Sequence, residues 1–377
     1  MEKNNKTLNV PPLRFPEFSG EWEKCTISDF GNVITGNTPP TAEDENYDKG
    51  THLWASPADL GTTKYIESTQ TLLSDRGFEK SRSFPANSIL VTCIGSTIGK
   101  MGMSKTEMAS NQQINTIVPV QHDANFVYYA VQSRFPRYLS SIAVQAVPIL
   151  SKSSFEKLTN YTTARKEQIK IGNLLSLIDE RIDTQKKIIE KHESLIRGLY
   201  HSVFNQPAVA LQLNDVVSVV KGKQVNGEDL LEDGKYYMMN GGTEPSGYLD
   251  EYNTPANTIS ISEGGNSCGY VQYNTEPFWS GGHCYSLIQK EVNINYQYLY
   301  HFLKYKERDI MALRIGSGLP NVQKKDLERF EIRLLPIEQQ NRVADILEGL
   351  SAKCGLEKRV LQRWQSQKSF LLRNLFI

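Results

Sequence analysis

Apolar positions along this chain follow two rhythms. In the first, short alternating or continuous runs such as Ser88-Ile89-Leu90-Val91-Thr92 and Thr258-Ile259-Ser260-Ile261-Ser262 are bounded by Gly, Pro and Asn, and they predict strands. Helical stretches interrupt them from Asn125 to Leu139 and from Tyr296 to Ala312. The second rhythm takes over abruptly. From about Arg165 to Phe204 there is no proline, and the only glycines are Gly172 and Gly198. Leu175, Ile178, Ile182, Ile189, Ile196, Leu199 and Val203 recur there at alternating steps of three and four, with Gln185 and His192 in the two gaps. That spacing is a heptad seam. Pro207 ends the helix that carries it.

The chain also repeats itself. Pro85-Ala86-Asn87-Ser88-Ile89 returns as Pro255-Ala256-Asn257-Thr258-Ile259, and at the same offset of 170 Gly95 meets Gly265, Gly99 meets Gly269, and Ser110 meets Ser280. Farther on the offset becomes 172, where Gln168 meets Gln340 and the seam reappears as Leu347, Leu350, Cys354, Leu361, Leu371 and Leu375. Pro336 suits the first turn of this second helix. A helix of about 38 residues is roughly 57 Å long and cannot bury one apolar stripe alone. The duplication supplies a partner within the chain, and because a globular segment separates the two helices they can lie antiparallel. Two separate hairpins or a dimerising coiled coil would bury the seam as well. The fold class expected is α+β: two similar mixed α/β globular domains and two long antiparallel coiled-coil helices in a tandem pseudo-repeat. The boundaries expected are 1–160 (with an N-terminal arm, 1–20), 161–206 for the first helix, 207–335, and 336–377 for the second helix. Packing of the helix pair is assigned to Ile178, Ile182, Ile189, Leu350 and Leu361.

Composition narrows the function. The 377 residues suffice for two or three domains, and 39% apolar with 22% charged residues is ordinary for a globular protein. Lys plus Arg and Asp plus Glu are both 42, so bulk charge does not argue for nucleic acid. The balance is uneven, however. Residues 208–289 hold three basic against ten acidic side chains, and 290–335 hold nine against six, which suggests a basic face with Lys304, Lys306, Arg308, Arg314, Lys324 and Lys325. Lysines on a solvated helix give the same count. The start Met1-Glu2-Lys3-Asn4-Asn5 does not read as a signal peptide, no apolar run is long enough for a membrane span, and five scattered cysteines without CxxC suit reduced thiols in a cytosol.

Catalytic motifs find no support. Gly95-Ser96-Thr97-Ile98-Gly99-Lys100 resembles a P-loop but has one residue too few between its glycines, and Met101 replaces the magnesium-binding hydroxyl. The acidic stretch Asp44–Gly50 has its glycine misplaced for a calcium loop, and His283-Cys284 lacks a second ligand pair. The tetrapeptide of amino-methyltransferases is missing, Asn37-Thr38-Pro39-Pro40 having the wrong order, and neither H-E-x-x-H nor the G-x-S-x-G of a nucleophile elbow is read along the chain. What remains suits polymer reading. The Gly95–Lys100 turn offers N–H groups, hydroxyls and an ammonium; Gly265-Asn266-Ser267-Cys268-Gly269-Tyr270 is its equivalent; and Asn111-Gln112-Gln113 lies opposite Gly281-Gly282-His283. Gln and Asn can pair with adenine in the major groove. Any one of these residues can equally be satisfying its own backbone.

The chain resembles the specificity subunits of bacterial type I restriction–modification enzymes over nearly its whole length. The resemblance rests on Val10-Pro11-Pro12-Leu13-Arg14-Phe15-Pro16-Glu17-Phe18 followed by Trp22, on Gly95–Lys100, on Ser110-Asn111-Gln112-Gln113, on Asn240-Gly241-Gly242 with Ser246-Gly247-Tyr248, and on Leu335-Pro336-Ile337-Glu338-Gln339-Gln340. The first copy departs from the last motif, since Ala164-Arg165-Lys166-Glu167-Gln168 keeps Glu-Gln without the proline. The resemblance implies two target-recognition domains, each reading half of a bipartite double-stranded DNA site, with a helix pair that sets the spacer and docks two modification subunits. It implies a non-catalytic chain in the bacterial cytoplasm that binds no cofactor itself, S-adenosylmethionine and ATP with magnesium belonging to modification and restriction subunits, two of the latter being able to join. The DNA-binding candidates are Thr97, Lys100, Gln112 and Gln113 in the first domain and Asn266, Ser267, His283, Lys324 and Lys325 in the second. A self-sufficient methyltransferase or nuclease, and a protein-only coiled-coil adaptor, are the competing readings.

Overall fold

The computed structural model describes residues 9–142, 149–290, 293–316, 318 and 320–377; the polar residues 1–5 and the first part of the arm lie outside them. The chain divides into two compact units, residues 1–187 with 359–377, and residues 188–358.

In the first unit, Glu23–Thr26 pairs antiparallel with Thr159–Thr162. A five-stranded sheet runs Gly31–Thr35, Ile114–Pro119, Ile89–Thr92, Met101–Ser104, Tyr65–Ile66, and a three-stranded sheet runs Thr71–Leu73, His52–Ala55, Ala109–Ser110. The continuous run Ile89-Leu90-Val91 follows from burial on both faces of its sheet. Ile89 and Val91 enter the main core with Phe126 and Tyr129 of the helix Ala124–Ile142, and Leu90 enters a second cluster with Ala55, Phe84 and Ile114.

The second unit repeats the plan. Val209–Gln212 pairs with Glu331–Leu334. Its larger sheet runs Val217–Lys221, Cys284–Gln289, Thr258–Ser262, Val271–Asn274, and its smaller one Gly247–Leu249, Tyr236–Met239, Trp279–Ser280. Here the alternation is literal: Ile259 and Ile261 enter the core, while Asn274 Nδ2 on the opposite face donates to Ser260 Oγ. Met101 and Val271, and Ile114 and Cys284, open equivalent strands at the offset of 170 read from the sequence, and Ile89 and Ile259 are equivalent within the strands Ile89–Thr92 and Thr258–Ser262. The first strands, opening at Glu23 and Val209, stand at an offset of 186, which the sequence comparison missed. Extra chain between Ala55 and Ile89, including the helix Asp75–Glu79, accounts for the change.

Both long helices form, Arg165–Phe204 and Ile337–Asn374, and each runs through both units. The first starts at Arg165 rather than at 161, because Tyr161 and Thr162 are strand residues paired with Lys24 and Glu23. Within the first unit, Leu175, Ile178 and Ile182 share a core with Leu371, Leu375 and Phe376. Leu13 N–H donates to Asn374 O, Arg14 holds Glu167 through Nε at 2.7 Å and Nη2 at 2.8 Å, and Lys368 Nζ lies 2.6 Å from Asp179. Rising numbers on one segment therefore meet falling numbers on the other, which makes the pair antiparallel. In the second unit Lys358 meets Glu193 at 2.7 Å, and Phe204 shares a core with Ala344 and Leu347, again in antiparallel order.

The Glu-Gln motif gains a structural role. Gln168 Oε1 accepts from Asp123 N–H while its Nε2 donates to Thr163 O; Gln340 does the same with Asn295 N–H and Leu335 O. Each glutamine thus ties the start of a long helix to the strand before it and to the helix packed beside it. The stretch Tyr296–Ala312 is two helices, not one, broken at Lys306 with ψ near 9°. The break lets Glu307 accept from Val271 N–H and Lys304 donate to Val271 O, closing a strand end that a continuous helix would leave open.

Candidate nucleic-acid interface

Each unit brings the same loops together. Strand Ile89–Thr92 leads into a tight turn before Met101–Ser104; Cys93 N–H donates to Gln113 O, which seats the 111–113 loop against that turn. In the second unit Glu263 N–H donates to His283 O at the equivalent position. Gly99 and Gly269, φ near +91° and +88°, are required by these turns, because a Cβ at either would also strike Phe135 or Met311 at 2.8 Å.

The first domain groups some of the expected residues. Gln113 is half-buried, its Oε1 accepts from Asn111 Nδ2, and its Nε2 lies near the Gly95 turn. Exposed Gln112 accepts from Thr38 Oγ1 at 2.5 Å. Thr97 is half-buried on the turn, where its carbonyl accepts from Lys100 N–H. Lys100 leaves this group. It lines a cavity of about 650 Å³ beside the long-helix segments, together with Lys64, Asp179, Lys186 and Lys368. Burial pulls the Lys64 ammonium down to about 8, where Asn125 Oδ1 and Ser176 Oγ accept from it.

In the second domain Asn266 is exposed and Ser267 half-buried on the turn, and exposed His283 faces a cavity of about 590 Å³. Lys324 and Lys325 are exposed on the short helix Lys324–Glu328, which follows the cavity residue Asn321. The basic face is narrower than the residue count suggests. Lys304 pairs with Glu307 at 2.5 Å, Lys306 with Asp309 at 2.9 Å, and Lys324 with Glu328 at 3.6 Å, so local carboxylates offset three of its six cations. Among the packing residues, Ile178, Ile182 and Ile189 are buried, while Leu350 and Leu361 are half-buried.

Two features escaped the sequence reading. Gly265-Asn266-Ser267-Cys268-Gly269 does spell G-x-S-x-G. A nucleophile elbow needs a strand-to-helix turn, whereas this segment turns between the antiparallel strands Thr258–Ser262 and Val271–Asn274, so the motif is spurious. The second is Glu263, buried beside His283 and bonded to Lys221, an acidic residue that a search for DNA-binding side chains gave no reason to select. The signal available was its place in the repeat, opposite Cys93, as the only charge among uncharged neighbours. Among the described residues no group of three His, Cys, Asp or Glu is placed to hold a metal, and no helix is long and apolar enough to cross a membrane.

A duplicated loop-bearing scaffold joined by paired long helices is the architecture of a DNA-specificity protein, and the chain matches the type I restriction modification DNA specificity domain twice, over residues 19–193 and 208–363. It belongs to that family. It is a DNA-recognition specificity subunit, a class with no catalytic role of its own. A putative type I specificity subunit of Mycoplasma genitalium is 26% identical over 71% of this chain and 74% of the relative. The type I restriction enzyme MjaVIII specificity subunit of Methanocaldococcus jannaschii is 22% identical over 98% of this chain and 94% of its own length. The crystal structure of a type I restriction–modification system S subunit from M. genitalium shares the fold, with a TM-score of 0.74 at 23% identity over 98% of this chain and 99% of that one.

Proposed function

We infer that each globular domain reads one half of a bipartite double-stranded DNA site, and that the long helices set the unread spacer and dock two modification subunits. The observation that carries this reading is the duplication with divergence. The two units repeat all but one of their strands, Tyr65–Ile66 having no counterpart, yet the residues between the shared turn glycines differ, Ser96-Thr97-Ile98 in one and Asn266-Ser267-Cys268 in the other. One scaffold with two sets of side chains suits two different base sequences. Thr97, Gln112 and Gln113 in the first domain and Asn266, Ser267 and His283 in the second are assigned to base edges; Lys100, Lys324 and Lys325 are assigned to phosphate, where they supply salt-dependent affinity.

S-adenosylmethionine chemistry belongs to the modification subunits, ATP with magnesium to restriction subunits that can join, and the assembly works in the bacterial cytoplasm. Exposed apolar side chains on the long helices, Leu177, Leu195, Ile346, Leu356 and Phe370, support docking there. The test is a footprint of the complex formed with the modification subunit. Two protected half-sites separated by an unprotected spacer are expected, and deletion of one heptad from both helices shortens the spacer or abolishes assembly. A shortened helix pair with unchanged spacer and assembly refutes the ruler; transfer of labelled methyl groups by the chain alone would favour the enzyme reading instead.

A further inference from the structure

Glu263 follows the strand Thr258–Ser262, and its backbone is fixed on both sides: its N–H donates to His283 O, and its carbonyl accepts from Val322 N–H at 2.8 Å. The residue is only 8% exposed. Its Oε1 accepts from Lys221 Nζ at 2.6 Å and from Tyr285 OH at 3.0 Å. Its Oε2 is buried and accepts no hydrogen bond among the described residues. The His283 ring, 62% exposed, lies over that oxygen with Nδ1 3.5 Å away, close enough for an ion pair when the ring is protonated but without a hydrogen bond, so a ligand reaching the oxygen must displace the ring. Gly241, Gly242, Gly264 and Gly265 form part of the cavity wall around the carboxylate, and Asn240, Ser246 and Asn321 add polar side chains to it.

A buried acceptor without a donor is costly, and the ligand that relieves it must bring an N–H or O–H. An anion is repelled, so a phosphate does not fit against this oxygen. On duplex DNA the base-edge donors are the exocyclic amino groups: adenine N6 and cytosine N4 in the major groove, guanine N2 in the minor groove. The equivalent positions of the first domain contrast with this. Lys221, Glu263, Tyr285 and His283 correspond to Thr35, Cys93, Asn115 and Gln113, where Thr35 Oγ1 donates to Asn115 Oδ1 at 2.6 Å and burial pushes the Cys93 thiol up to about 12, keeping it neutral. One place in the duplicated fold therefore carries a charged cluster in one copy and a neutral one in the other.

We propose that Glu263 is a specificity-determining residue of the second domain, reading the exocyclic amino group of one base through its unpartnered oxygen, with Lys221 and Tyr285 holding the carboxylate in place. The proposal rests on the reading of that domain as a half-site reader. The test uses the full chain in complex with its modification subunit. Affinity is measured for duplexes in which each base of the second half-site is replaced by its amino-deleted analogue: purine for adenine, 2-pyrimidinone for cytosine, hypoxanthine for guanine. One substitution at one position should weaken binding by about tenfold or more, the value of a good base contact, and the analogue that does so names the base. Glu263→Gln keeps an acceptor for Lys221 and Tyr285 but turns an NH2 toward the amino group. It should abolish the preference at that position alone and leave the first half-site untouched. Wild-type indifference to every analogue, or an unchanged preference in the folded Glu263→Gln complex, overturns the proposal while half-site reading stands. Absence of any sequence preference in the second half-site overturns both.

Discussion

Replacing Lys368 by Met probes the helix pairing of the first unit at a largely buried ion pair. Lys368 occupies a seam position, and its ammonium lies 2.6 Å from Asp179 Oδ1, whose other oxygen accepts from Tyr129 OH at 2.6 Å. The two side chains are 17% and 11% exposed. At that distance and an effective dielectric near 20 the gross attraction is about 6 kcal/mol. Desolvation offsets much of it, and removing one partner of a buried pair costs about 3–5 kcal/mol. Lys64, whose ammonium also feels Asp179, compensates in part, so Lys368→Met should lower the unfolding free energy by about 2–3 kcal/mol. The Met side chain keeps the stem packing, which isolates the charge. Chemical denaturation of Lys368→Met, Asp179→Asn and the double variant gives the cycle, and the double variant should lie within about 1 kcal/mol of wild type. Lys368 also depresses the Lys64 ammonium, so its loss should raise that group from about 8, as read by the pH dependence of amine labelling. Single losses that simply add in the double variant, or a silent Lys368→Met, would show that the two segments are not coupled through this pair.

Burial drives the His301 imidazole down to about 4, where Tyr200 OH shares a 2.9 Å hydrogen bond with Nδ1. Because the folded value lies below the unfolded one near 6.5, stability is full above that pH and falls as acid is added between 6.5 and 4, by up to about 3 kcal/mol; thermal unfolding across that range should show the fall, and His301→Gln should flatten it. Gly99→Ala should destabilise more than Gly265→Ala in a side-by-side denaturation series: both glycines have positive φ, costing an alanine about 1–2 kcal/mol, but only at Gly99 does a Cβ also collide, with Phe135 at 2.8 Å. Ile178→Ala should cost about 2–5 kcal/mol and Leu350→Ala clearly less, since the first is buried and the second half-buried; equal losses would contradict the packing described.

Periodicity and repetition carried most of the fold. The heptad seam is legible because it stays in phase for four repeats, and the strands Ile89–Thr92 and Thr258–Ser262 are legible because the same Pro-Ala-Asn turn precedes both. The equivalence of Glu23–Thr26 with Val209–Gln212 was not legible, because the strands share a pattern of exposure without shared letters and the intervening insertion shifts their offset. The break at Lys306 carries no proline or glycine; it depends on Glu307 reaching a strand distant in sequence. At the candidate interface, the Gly95 turn and Gln113 could be paired by repeat position, but the departure of Lys100 toward another cavity could not, since it depends on which way a long side chain folds. Glu263 was hidden for the opposite reason: its chemistry contradicts the charge expected of a DNA reader, and only its buried, unpartnered oxygen distinguishes it.

The most direct measurement is an exchange of residues 207–335 for the corresponding domain of a relative with a different site, followed by sequencing of methylated positions in a host that also supplies the modification subunit. The account predicts a hybrid site in which one half and the spacer are retained and the other half is replaced. Simultaneous change of both halves, or of neither, would contradict two independent readers on one duplicated scaffold.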